Sequence, residues 1–108
     1  MEQIKEYLIN EIKEKHLVNE IMEMKKRMEW NQIIEDNEGN WKEISKFQTL
    51  SEEFISDNSR SVDWKYISMC QKLSEDFIEN HSDLVDWYII LEYQELSDEF
   101  RNKWNHKL

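Results

Sequence analysis

Apolar residues follow two different rhythms along this chain. In the first 36 residues, Ile4, Leu8 and Ile12 are spaced by four, and Leu17, Ile21, Met24 and Met28 by four, three and four. Both spacings keep apolar side chains on one face of a helix, so two amphipathic helices are predicted, breaking near His16 to Asn19 and serving as an N-terminal cap. Further on, the apolar positions contract into short clusters bounded by Ser, Asp and Asn. The segment Asn37 to Asn40, which holds the only glycine, is the predicted break between the two regions.

The later rhythm is a repeat. Trp41, Trp64 and Trp87 recur every 23 residues, and Ile44, Ile67 and Ile90 keep the same register, as do Gln48, Gln71 and Gln94. Leu50, Leu73 and Leu96, Ser51, Ser74 and Ser97, and Phe54, Phe77 and Phe100 complete a unit W-x-x-I-S-x-x-Q-x-L-S-E-x-F-I. Within one unit Asp63 is a predicted N-cap for a helix running to about Gln71, and Ser74 caps a second that runs to about Asn80. Helices this short are marginal alone in water, where roughly 12 to 15 residues are needed, so stacking of Trp, Ile, Leu and Phe between units must hold them. The third copy departs from the pattern: Leu91 stands where the others have Ser45 and Ser68, and Arg101 where they have Ile55 and Ile78. A terminal unit with a more polar outer face is what a one-dimensional stack requires. The expected fold is all-α, with helix-pair tandem repeats of 23-residue period, solenoid-like, behind a two-helix N-terminal cap. Residues 1–108 form a single domain in this reading, with helices over 1–36 and three repeats over 40–106.

The copies Trp41 to Ile55 and Trp64 to Ile78 resemble the tandem W-x-x-I-S-x-x-Q-x-L-S-E-x-F-I repeats of proteins from giant DNA viruses and some bacteriophages. The resemblance covers residues 40 to 100, weakens in the third copy and does not extend to the N-terminal helices. It implies a viral or mobile-element setting, of the kind occupied by anti-CRISPR and other anti-defence proteins, and no catalytic residues.

Composition narrows the function. Of 108 residues, 24 are acidic and 14 basic, a formal net charge of −10, which opposes direct binding to nucleic acid phosphates or an anionic membrane and favours a basic protein partner. One glycine and no proline disfavour strand-rich folds and glycine-loop nucleotide sites. The single cysteine excludes an intramolecular disulfide and multi-cysteine metal sites. With no signal-like or membrane-spanning run, a cytoplasmic setting is expected, in the host cell if the protein is viral.

No nucleophile, base and orienting group combine, so no enzyme, cofactor or metal is expected. Cys70 shares its repeat position with Phe47 and Tyr93 and is read as a packing site in the core. His81 shares its position with Asn58 and Trp104 and is read as variable structure near a helix end; His16 and His106 have no ligand partner at metal spacing. Acid pairs recur at the first turn of each second helix, Glu52 and Glu53, Glu75 and Asp76, and Asp98 and Glu99. The helix dipole accounts for any one pair at about 0.3 to 1 kcal/mol per charge. Their common register leaves two readings open, a solvated face or an acidic ladder that binds.

Two functions follow. In the first, Glu52, Glu53, Asp57, Glu75, Asp76, Glu79, Asp98 and Glu99 bind a basic surface and imitate a phosphate backbone. The protein then blocks the nucleic-acid-binding channel of a host defence protein, a CRISPR effector or another nuclease. In the alternative, the repeats are a structural or adaptor scaffold, and Met22, Met24, Met28 and Trp30 form an apolar N-terminal patch for a partner or for homo-oligomerisation. Trp30 and Trp104, outside the regular repeat positions, are the aromatics expected to be partly exposed. The oligomeric state is left open by the sequence.

Overall fold

The computed structural model describes the backbone of residues 2–108 and the side chains of residues 10, 11 and 13–108. The side chains of Ile4, Leu8 and Ile12 lie outside the described residues. Every regular element among the described residues is a helix, and the chain divides into two compact units, Met1–Gln32 and Ile33–Leu108. No described helix is long and apolar enough to cross a membrane.

The first unit is built on α1, Glu2–Asp36. This single helix corrects the expected pair: it runs unbroken through His16 to Asn19. No glycine or proline interrupts it; the i,i+4 pair Glu11–Lys15, at 3.7 Å, leads up to the expected break, and His16–Glu20, at 3.0 Å, spans it. The change in apolar spacing there does not end the helix. Termination comes later, where Glu38 and Gly39 take φ of 53° and 68°. The Glu38 N–H then donates to the Glu35 carbonyl and the Gly39 N–H to that of Ile34, both at 2.9 Å, the paired bonds of a Schellman cap.

In the second unit six short helices follow in pairs: α2 Trp41–Phe47 with α3 Glu52–Asp57, α4 Trp64–Cys70 with α5 Glu75–Asn80, and α6 Trp87–Tyr93 with α7 Asp98–Trp104. Each has a side-chain N-cap at the position the repeat sets aside for it. Asn40, Asp63 and Asp86 cap the first helices, and Ser51, Ser74 and Ser97 the second. Such caps contribute about 1 kcal/mol each, a large share for helices of six or seven residues. Successive first helices are neighbours, α2 against α4 and α4 against α6. Ile44, Ile55, Ile67, Ile78 and Ile90 are fully enclosed. In each pair the Trp ring lies beside the Phe ring, with centroids 6.1 to 6.3 Å apart.

Polar side chains tie one pair to the next. The Gln71 side chain is buried; its Oε1 accepts from the Leu50 N–H at 3.0 Å, and its Nε2 donates to the carbonyls of Ser45 and Gln48 at 2.9 and 2.6 Å. Gln94 repeats this one unit later with the Leu73 N–H and the carbonyls of Ser68 and Gln71, at 3.1, 2.8 and 2.7 Å. These carbonyls lie in the last turn and C-cap of the first helices, where no intrahelical donor is left. The Ser45 and Ser68 hydroxyls accept the N–H of Asp63 and Asp86, at 2.9 and 3.1 Å. After the third pair the pattern is closed from within: Arg101 donates to the carbonyls of Leu91 and Gln94, at 2.7 and 3.2 Å, the positions that a further glutamine would occupy.

Gln71→Ala would strand one buried donor and two acceptors. A loss of about 2 to 4 kcal/mol is expected in denaturant unfolding. Gln48, which makes no such bridge among the described residues, is the control, and Gln48→Ala should cost less than about 0.5 kcal/mol. Equal losses at the two sites would contradict the bridging role.

Candidate protein-binding surface

The acids of the sequence ladder divide into two groups. Glu52 and Glu75 join neighbouring units. The Glu52 carboxylate accepts from the Ser74 N–H at 2.7 Å and its hydroxyl at 3.0 Å, and Glu75 does the same to Ser97 at 2.9 and 3.0 Å. Each therefore clamps the N-cap of the next second helix. Glu79 accepts from Lys103 Nζ at 2.6 Å and from Trp104 Nε1 at 3.3 Å. The remaining five, Glu53, Asp57, Asp76, Asp98 and Glu99, are exposed on α3, α5 and α7. Glu53, Asp76 and Glu99 hold one repeat position, so the three second helices present a carboxylate at equivalent points. A shallow groove lined by Glu75, Asp76, Glu79, Glu99 and Lys103 runs between α5 and α7.

A basic cluster that the sequence reading missed sits on the first helices. Lys42, Lys46 and Lys65 place their ammonium groups 5.6, 5.4 and 5.9 Å from the centre of the Tyr66 ring. Lys46 also lies 5.0 Å from the Phe47 ring. The signal is present in the sequence, since Lys42 and Lys65 share a repeat position and Lys46 follows Lys42 by one helical turn. In the first two pairs acids thus concentrate on the second helices and lysines with aromatics on the first, whereas α6 carries no lysine and α7 holds Arg101 and Lys103.

The core assignment of Cys70 is corrected. Cys70 is exposed, as are Phe47 and Tyr93 at 64 and 59%, so their shared position is an outward column. It lies one residue, about 100° of helix, before the inward-facing glutamine. His81 stacks on Phe77 at 4.1 Å and on Trp64 at 5.6 Å, and its Nε2 is 3.2 Å from Ser56 Oγ, a place between two helix pairs. Trp104 is half-buried and covers the last pair, stacked on Trp87 at 4.6 Å. Trp30 is also half-buried, under the Lys26 ammonium at 5.8 Å. Met22, Met24 and Met28 are exposed on α1; Met24 and Met28 share a face, and Met22 lies on another. No group of His, Cys, Asp and Glu that could hold a metal ion occurs among the described residues.

No protein-family model, curated protein or solved structure matches the chain.

The Lys103 ammonium and, to a smaller degree, the Trp104 N–H hold the Glu79 carboxyl below the ordinary glutamate range. A carboxyl whose value is lowered by folding stabilises the fold above its unfolded value, and that contribution disappears as pH falls through the folded one. The stability difference between the wild type and Glu79→Gln should therefore be present at neutral pH, shrink once pH falls below the ordinary glutamate value of about 4.3, and be lost as pH passes below the lowered folded value. Thermal unfolding across pH reads this, and a difference that stays constant would contradict the pairing.

Proposed function

We propose that the helix-pair array is a non-enzymatic module that binds a basic protein surface through the acids of its second helices. In the viral setting that its repeat resembles, it acts as an inhibitor: it occupies the nucleic-acid-binding surface of a host defence protein, a CRISPR effector or another nuclease, in the host cytoplasm. The observation that carries this reading is the division of the acids. Glu52 and Glu75 are spent on joining units, whereas Asp57, Asp76, Asp98 and Glu99 are exposed on helices whose backbones are held in register from below. Carboxylates displayed at fixed intervals on a rigid support steer toward a positive cleft and meet it without reorganisation. No acid or base placed to act on a substrate is needed for such a role.

Binding to a panel of basic nucleases should fall steeply as salt rises, because exposed charges are screened over about 10 Å at 0.1 M. Asp76→Lys with Glu99→Lys should weaken it at least roughly tenfold, about 1.4 kcal/mol, while circular dichroism verifies that the helix content is kept despite the loss of two first-turn acids. Binding that ignores both salt and these reversals would eliminate the decoy reading.

A further inference from the structure

One side of α1 takes no part in the surface described above. Leu17, Ile21, Met24 and Met28 are 56, 55, 62 and 69% exposed, and their spacing of four, three and four gathers them into one narrow stripe. This is the a/d spacing of a helix that packs lengthwise on another helix. Apolar side chains concentrated this way in a chain of net charge −10 mark an interaction surface, and the residues flanking the stripe say which partner fits.

We propose that the stripe pairs with the same stripe of a second copy of this chain, in antiparallel orientation. Aligned about the middle of the stripe, Leu17 faces Met28 of the other copy and Ile21 faces its Met24, so four apolar layers close with no polar residue among them. On one flank Glu20 then lies beside Arg27 of the other copy, and the two-fold symmetry makes that pair twice. On the opposite flank Val18 meets the aliphatic stem of Lys25. At the next layer outward Glu14 faces Asn31. Parallel pairing also makes two flanking ion pairs, Glu20 with Lys25 of the other copy, but it sets Glu14 against its own copy at the next layer and leaves Arg27 facing Gln32. Glu20 Oε1 is 3.0 Å from His16 Nε2 on its own helix, an interaction that holds the carboxylate at the flank of the stripe.

The inference stands apart from the acidic face, whose residues belong to other helices. Fewer than two full heptads are involved, so the contact is short and the dimer weak. Sedimentation equilibrium of the full chain, from low micromolar to submillimolar concentration, tests it. The average mass should climb from 13.4 kDa toward twice that value. Met24→Glu should raise the concentration needed by at least roughly tenfold. Arg27→Glu should weaken pairing, and adding Glu20→Arg to the same chain should restore it. All three positions are exposed, and circular dichroism verifies that each variant keeps its helix content. A mass that stays at 13.4 kDa throughout, or a Met24→Glu variant that associates like the wild type, overturns the proposal. So does a double variant no better than Arg27→Glu alone, because only the antiparallel register sets residues 20 and 27 side by side.

Discussion

The repeat array depends on a side-chain amide placed where helices run out of backbone partners. A helix of seven residues leaves its last three carbonyls without a helical donor even after the C-cap N–H is used, and a chain built from such helices would be unstable if each had to satisfy itself. Here the glutamine of each following pair reaches back, gives its two N–H bonds to the end of the preceding first helix and takes the N–H of the leucine that leads into the second. Both halves of the amide are used, which explains why the position is glutamine: Glu would lose the donors and Lys the acceptor. Burial makes the arrangement strict, since any group left unmatched there would cost about 1 to 3 kcal/mol. Arg101 shows the same demand from the other side, for it supplies donors to the last two carbonyls and has nothing to accept with.

Around this buried seam runs an exposed one, in which Glu52 and Glu75 grip the serines that begin the next second helices. The two seams change how the charge is to be understood. Part of the acid periodicity is architectural, because a repeat joined by a Glu–Ser clamp must carry that Glu in every copy that has a successor. Asp57, Asp76, Asp98 and Glu99 make no such clamp, and they give the second helices a character unlike that of the lysine and tyrosine cluster on the first helices. A single 23-residue unit thereby encodes both its joint and its display.

Much of this was legible in the sequence. Asp63 and Ser74 marked the starts of two helices, and α4 and α5 begin one residue later in each case. Capping is local chemistry, so local sequence reveals it. The triplet of glutamines was equally visible as spacing, but its role required knowing that residues 21 and 26 apart meet, which only packing decides. Cys70 failed for a related reason: Phe, Cys and Tyr in one register resemble a core position until the inward stripe is fixed by Trp64, Ile67 and Gln71. In α1 a change of apolar spacing reads as a break, although neither glycine nor proline is there to make one. For the acids, exposure separates display from joint, and no sequence pattern distinguishes Glu75 from Asp76 on that basis.

Amide hydrogen exchange in the native state tests the glutamine seam most directly. The N–H groups of Leu50, Leu73 and Leu96 occupy the same repeat position outside any helix, so helix hydrogen bonds protect none of them. Leu50 and Leu73 donate to Gln71 and Gln94, while Leu96 has no glutamine to meet it among the described residues. The account requires the first two to exchange as slowly as enclosed helix amides and Leu96 to exchange fast. It also requires Gln94→Ala to release Leu73. Equal, rapid exchange at all three leucines would contradict it.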